Sequence, residues 1–278
     1  MNKKGLIFSL LFFISYNSFS QIHIKVEGAI GSYTGTINES IQEVKSKAIQ
    51  DAKLDALNKA GISENMKIYS TLYRRTKNNE YDRSFTSESI SELQGGVLEY
   101  TIINAPITVN ENSFTCNVEL NATVIKYETK SDYNYKAIVD GIKPSYTYDD
   151  QKVKYKQNPK DGVAVTFSIT PTKDTYITIF AVGGDGSIGK LFPHEKDERT
   201  QSKIFDKEKK HDFGDDPKYW FNSKEKSLDY RLVIVMHKEE RKFFNNDFNA
   251  ENMWNWILQI PRELRYVDVK HFTVYNNK

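Results

Sequence analysis

Apolar and polar residues alternate in several stretches of this 278-residue chain, and the alternation constrains its fold more than any other sequence feature. Residues 114–124 alternate throughout, with Cys116 on the apolar side, and residues 163–169 repeat the pattern. Residues 176–182 and 231–237 are denser apolar runs of strand length. Because successive side chains of a strand point to opposite faces, each of these four segments predicts a strand with a buried face.

An alanine-rich helix of about 20 residues is predicted before Gly61. Its apolar residues recur at spacings of three and four, which places them on one helix face: Ile41, Val44, Ala48, Ala52, Ala56 and Ala60. Thr36 and Glu39 have the spacing of a capping box, and Gly61 suits a left-handed C-terminal cap. Small side chains allow close approach, so we predict that this helix packs on a flat sheet. The charged residues on its other faces are interpreted as solvated: Lys45, Lys47, Lys53 and Asp55.

The predicted fold class is α+β. A long N-terminal helix packs on an antiparallel sheet, and a β-rich, sandwich-like domain with one late helix follows. Asn249 is the expected cap of the late helix, and Pro261 is expected to end it. The length suggests two domains. The predicted divisions are a signal peptide over 1–20, an α+β module over 21–127, a junction with short strands over 128–162, and a β-rich domain over 163–278.

The first twenty residues predict export. Lys3 and Lys4 give a short positive start, residues 6–14 form an apolar run, and Ser18-Phe19-Ser20 provides small residues around a cleavage site before Gln21. The apolar run is about half of the roughly 20 residues that a membrane-spanning helix needs. We therefore predict a cleaved signal and a periplasmic or outer-membrane-associated protein, with the cell surface or secretion as further possibilities.

The charge balance excludes some partners. The chain has 39 Lys and Arg and 37 Asp and Glu, so removal of Lys3 and Lys4 with the signal leaves a mature chain of zero net charge. Zero net charge argues against a nucleic-acid binder and against a polybasic membrane-surface protein. An aromatic content of 13% argues against a disordered chain.

The N-terminal half resembles a known envelope module. The residues that carry the likeness are Ala48, Asp51-Ala52, Ala56-Leu57, Ala60-Gly61, Ser70, Phe85, Ser89, Gly95-Gly96-Val97, Val118, Ala122 and Val124. This pattern is similar to the N-terminal domain of flagellar assembly protein T and to related small outer-membrane lipoprotein domains. The resemblance implies an envelope assembly module rather than an enzyme. Nothing in the chain resembles the remaining domains of that flagellar protein.

The C-terminal half resembles a second family from about residue 135 onward. The pattern comprises Asp174-Thr-Tyr176-Ile-Thr-Ile-Phe180, Asp185-Gly186, Leu191-Phe192-Pro193 and, later, Trp256, Ile260-Pro261 and Arg265. It is similar to the family catalogued as domain of unknown function 4384, as found in Bacteroidota. The resemblance implies an exported domain that is often paired with other envelope modules and has no established activity. The charged segment 194–218, interpreted as a solvated loop, is longer than the loop of that family.

No catalytic, cofactor-binding or metal-binding residue is predicted. His194, His211 and His237 lack the spacing of zinc ligands on one element. Asp185-Gly186 fits a hairpin turn better than a calcium loop. Cys116 is predicted to lie on a core face as an inert thiol. The segment 219–221 (Tyr-Trp-Phe) is either an aromatic platform for a ligand or a strand with alternate residues in the core.

The leading functional hypothesis is a non-enzymatic, exported envelope assembly or binding module. Its partner is expected to be an envelope protein or a surface glycan, without a cofactor. One alternative is a cell-surface carbohydrate-binding or accessory hydrolase protein. The other alternative is a structural subunit of an envelope complex.

Overall fold

The computed structural model describes residues 21–62, 93–144, 146–149, 152–155, 157–158, 162–193, 203–215, 219–221, 227–243 and 249–275. The predicted signal peptide and a strand predicted over residues 67–74 lie outside the described residues. Within these ranges, none of the helices combines the length and hydrophobicity that a membrane crossing requires.

Strands dominate the part of the chain that the structure describes. They are β1 (Gln21–Thr36), β2 (Gly95–Asn104), β3 (Ile107–Asn110), β4 (Ser113–Tyr127), β5 (Ala137–Pro144), β6 (Tyr146–Asp149), β7 (Lys152–Tyr155), β8 (Gln157–Asn158), β9 (Gly162–Pro171), β10 (Tyr176–Gly183), β11 (Ile188–Phe192), β12 (His211–Phe213), β13 (Tyr219–Phe221), β14 (Ser227–His237) and β15 (Arg265–Tyr275). The helices are α1 (Ile41–Lys59) and α2 (Ala250–Gln259), and a single 3-10 turn covers Arg262–Leu264.

The predicted α+β class is wrong. Strands make up 57% of the structure and form three antiparallel sheets beside a two-stranded ribbon of β6 and β7, whereas the described helices contain only 19 and 10 residues. The chain is therefore mostly β and is not organised around a long N-terminal helix. The alanine pattern was misleading because each alanine buries little apolar surface. The larger buried faces belong to long strands such as β4 and β14.

The first sheet has the strand order β1-β4-β2, and β3 also pairs with β4. β1 passes Gly28 and Gly31 and continues to Thr36. The pairing register with β4 shifts between Val26 and Ala29, and Gly28 adopts a positive φ of 60° within this bulge. The glycine thus bends the strand and lets it continue to Thr36.

The start of α1 lies later than the sequence suggested. Ser40 is its N-cap: the Ser40 side chain accepts a hydrogen bond from Glu43 N at 3.2 Å, and Glu43 Oε2 accepts one from Ser40 N at 2.8 Å. The expected capping residues form the preceding turn instead, where Thr36 N donates to Glu39 Oε2. At the other end, Gly61 has the left-handed φ of 72° that was predicted for it.

The second sheet (β11-β10-β14-β15) packs against the third, in which β9 pairs with β12 and β13 on one side and with β5 and β8 on the other. The core between them contains alternate residues of β9, among them Val165, Phe167 and Ile169. The predicted hairpin over residues 183–186 joins β10 to β11 and is confirmed. The junction predicted over residues 128–162 supplies β5 to β8, so more of it forms sheet than expected.

The second sheet is buried on both faces. Leu232, Ile234 and Met236 of β14 belong to the core shared with the third sheet. Val233 and Val235, on the opposite face, belong to a core that also contains α1, α2 and the first sheet. Because one hydrophobic core continues from the N-terminal half into the C-terminal half, two separately cored domains are not supported. The predicted boundaries at residues 127 and 162 stay predictions.

The charged segment 194–218 contributes to this core in its described part, residues 203–215. Phe205 and Phe213 are buried, and both rings contact Phe192, with centroids 5.5 and 5.3 Å away. Charged side chains such as Asp206 and Lys209 are exposed. The interpretation as a wholly solvated loop is therefore wrong, because two aromatic side chains anchor the segment.

Candidate functional site

An open groove crosses the first sheet beside its β1 edge. Its volume is about 430 Å³, and it is lined by β1, α1, β4 and the break between β2 and β3. The lining residues are Ile30, Gly31, Ser32, Asp51, Asn104, Pro106, Asn117, Val118 and Glu119. A concave surface that combines apolar side chains with several hydrogen-bonding groups is typical of a binding site.

Helix α1 forms one wall of the groove by covering the free edge of β1. Asp51 Oδ2 accepts a hydrogen bond from Ser32 N and Asp55 Oδ2 accepts one from Ile30 N, both at 2.9 Å. Lys59, which pairs with Asp55 at 2.8 Å, donates to Gly28 O at 2.7 Å. These side chains satisfy main-chain groups that an exposed edge would offer to another strand. The prediction that Asp55 is simply solvated is therefore wrong, because its carboxylate binds the edge of β1.

Electrostatics reinforce this edge. Burial alone would raise the pKa of Asp55, but hydrogen bonds from Lys59 and from Ile30 N–H outweigh it and hold the pKa of this carboxyl below its ordinary value. The ionised form that accepts the strand N–H is thus favoured at neutral pH.

The floor of the groove combines fixed and available polar groups. Ser32 Oγ donates to Asn117 Oδ1 at 2.7 Å, which fixes the orientation of that amide. The side chains of Asn104 and Glu119 are exposed and make no hydrogen bond or ion pair with the described part of the chain. Ile30 is 62% exposed beside them. Pro106 is also exposed, so the groove offers donors, acceptors and apolar contacts.

An ion pair with one buried partner lies between the two halves of the chain. Lys53 of α1 is only 6% exposed, and its Nζ is 2.6 Å from Glu251 Oε1 of α2 and 3.9 Å from the ring centroid of Tyr100. Burial lowers the pKa of Lys53, and Glu251 opposes that shift. The prediction that Lys53 is solvated is wrong, because its methylene stem and ammonium group lie in the contact with α2.

A second polar contact caps α2 against the first sheet. Arg265 is 5% exposed, and its Nη1 donates to Tyr127 OH at 3.0 Å, to Ile260 O at 2.9 Å and to Ile257 O. Tyr127 OH in turn donates to Leu258 O at 2.5 Å. A cation at a helix C-terminus meets the unpaired carbonyls and the negative end of the dipole. Burial raises the pKa of Tyr127 and Arg265 opposes this, so the phenol stays protonated.

The residues considered for chemistry are dispersed through the fold. Cys116 is free and lies on a core face, as predicted, and burial raises the pKa of its thiol. Asp185 Oδ1 accepts from Ser187 N at 2.9 Å as part of the hairpin turn. His194 lies outside the described residues. Over the described ranges, no group of three His, Cys, Asp or Glu is arranged to hold a metal ion.

His237 is enclosed in the core. It is 2% exposed, its Nδ1 lies 2.6 Å from Glu239 O, and its Nε2 lies 3.3 Å from Thr178 Oγ1. Burial lowers the pKa of this imidazole and thereby favours its neutral form. His211 is far less enclosed, with its Nε2 3.1 Å from Asp206 O.

The aromatic segment 219–221 forms strand β13. Tyr219 and Phe221 are buried at 5% and 3% exposure, whereas Trp220 is 37% exposed between them. The alternation confirms the core-strand reading and leaves one exposed ring instead of a platform.

The groove and the inter-half contacts were missed from the sequence. The spacing of Asp51, Asp55 and Lys59 at intervals of four residues was the available signal, since it places all three on one helix face. Glu251, Arg265 and Tyr127 carry no such local signal, because their partners are distant in the chain.

Comparison with protein-family models, with curated proteins and with solved structures finds no match to this chain. The two resemblances identified in the sequence therefore stay predictions.

Proposed function

We propose that this protein is an exported, non-enzymatic binding module of the cell envelope, and that it binds an exposed segment of an envelope protein in the groove beside β1. The groove is the observation that carries the proposal. It combines the exposed apolar side chain of Ile30 with a polar rim, which is the usual composition of a protein–protein interface.

The chemistry of the groove favours a protein segment over a glycan. Its lining contains amide, hydroxyl and carboxylate groups that match main-chain amides, and the lining residues include no aromatic ring on which a sugar face would stack. The rigid wall also supports binding, because Asp51 and Asp55 hold β1 in place before a partner arrives.

Site-specific photocrosslinking in the native host tests the proposal. A photoreactive residue replaces Ile30 in the groove, and in a control it replaces Ile138, which is 60% exposed and lies on β5, far along the chain. We expect one discrete protein adduct from position 30 in the envelope fraction and none from position 138. Glu119→Lys in the groove is expected to reduce the adduct at least tenfold.

Three results would contradict the proposal. The first is a protein that stays in the cytosol with its leader attached, and the second is an equal yield of adduct from both positions. The third is turnover of an envelope polymer by the purified protein, if a single point change abolishes that turnover. If the protein binds a glycan on an array and gives no protein adduct, its partner is a surface glycan and not an envelope protein.

A further inference from the structure

A buried guanidinium with an unmet donor lies beside a small cavity where the two halves meet. While Nη1 of Arg265 caps the end of α2, its Nη2 is buried and has no hydrogen-bond partner among the described residues. A buried donor without an acceptor is costly, and a charged one especially so. The neighbouring cavity is the place where an acceptor can be accommodated.

The cavity is small. Its volume is about 30 Å³, and Arg265, Arg262, Ser131 and Asp132 contribute polar groups to its walls beside the rings of Tyr135 and Tyr266. This volume is the space open to the centre of a water molecule, and one water needs roughly 10–15 Å³ of it. The space therefore has room for one or two water molecules or for one monatomic ion.

The charge around the cavity is positive. Asp132 accepts from Lys173 and from Lys238, each 2.7 Å from its Oδ2, and these hydrogen bonds hold the pKa of Asp132 well below its usual range. Arg262 Nε donates to Ser131 Oγ at 3.0 Å and so keeps its guanidinium at the wall. Glu263 accepts from Thr129 close by. The charged side chains that line the cavity are thus two guanidinium groups, Arg262 and Arg265, and one carboxylate, Asp132, which Lys173 and Lys238 also bind.

Two guanidinium groups beside one carboxylate that is itself bound by two lysines favour an anion over a neutral water molecule. The carbonyls at the end of α2 offset part of the charge of Arg265, but they engage Nη1 and leave Nη2 unmet. We propose that this cavity binds a single chloride-sized monovalent anion, which accepts from Arg265 Nη2 beside the second positive charge of Arg262. Such an anion stabilises the contact between α2 and the first sheet.

Halide substitution at constant ionic strength tests the site. The melting temperature of the purified protein is measured in sodium chloride, sodium bromide and sodium gluconate, for the native chain and for Arg262→Gln. A halide in tenfold excess over its Kd is expected to raise the Tm of the native chain by about 3–6 °C over gluconate. Arg262→Gln is expected to lose at least half of that increase. Arg241→Gln, which removes a half-buried arginine paired with Glu239, is the matched control and is expected to keep it.

Crystals grown in bromide locate the ion. We expect an anomalous peak within hydrogen-bonding distance of Arg265 Nη2. Equal Tm values in halide and gluconate, an undiminished halide response in Arg262→Gln, or a cavity that contains water and no anomalous peak would each overturn the proposal.

Discussion

The contact between α1 and β1 is tight enough that one added methyl group should be measurable. A Cβ at Gly31 would lie 2.8 Å from Ala52 Cα and closer still to Ala52 N and Ala48 O, whereas ordinary contact begins at 3.4 Å. The atoms in the way belong to the helix backbone, so no side chain can rotate aside. Gly31→Ala therefore requires α1 to move away from the sheet, and overpacking of this kind costs about 1–3 kcal/mol.

Gly189→Ala is the matched control, because nothing lies within 4 Å of a Cβ at that position. Urea unfolding of both variants gives the free energy of unfolding, and we expect a loss of about 1–3 kcal/mol for Gly31→Ala and a change within about 0.5 kcal/mol for Gly189→Ala. Equal stabilities of the two variants would refute the close approach of helix and strand. A lower stability of Gly189→Ala than of Gly31→Ala would refute it equally.

Two further predictions concern buried charge. Glu251→Gln removes the negative charge 2.6 Å from the buried ammonium group of Lys53, and we expect a loss of about 1–2 kcal/mol in the free energy of unfolding, discounted because Glu251 is 38% exposed. Glu240→Gln should change the free energy of unfolding little. His237 has a lowered pKa in the folded state, so the unfolded chain binds a proton first as the pH falls below about 6.5. The stabilising effect of the neutral imidazole is therefore present above that pH and lost below it. We measure the free energy of unfolding from pH 7.5 to 5 for the native chain and for His237→Gln. The slope against pH should be steeper in the native chain, by up to about 1.4 kcal/mol per pH unit. Parallel pH profiles would contradict the buried neutral imidazole.

Local patterns in the sequence located many of the elements. The alternation around Cys116 predicted β4, and the dense run that includes Val233 and Ile234 predicted the most buried strand, β14. Asn249 is the cap of α2 as expected, with its side chain accepting from Asn252 N at 2.9 Å. Each of these signals depends on residues within one or two turns or on one strand.

The fold class and the candidate site depend on contacts that such patterns do not contain. In the sequence alone, Gly28 is equally typical of the end of a strand. Its place in a bulge is recognised only from the pairing of β1 with β4. Lys53 reads as a solvated lysine because its partner, Glu251, is 198 residues away. Arg265 contributes to a resemblance in the sequence, but its role as a cap needs Tyr127 from the other half of the chain. Non-local pairing therefore determined what the sequence reading missed.

The shared core can be tested with two probes that the chain already contains. All three tryptophans lie in the C-terminal half, whereas the single cysteine, Cys116, is buried at 0% exposure in the first sheet. Tryptophan fluorescence, from side chains of the C-terminal half, and pulse-labelling of the Cys116 thiol in the first sheet are followed in one urea titration. If one hydrophobic core unites the two halves, the two midpoints coincide. Midpoints that differ by more than their experimental error would show two bodies that unfold independently and would contradict the shared core.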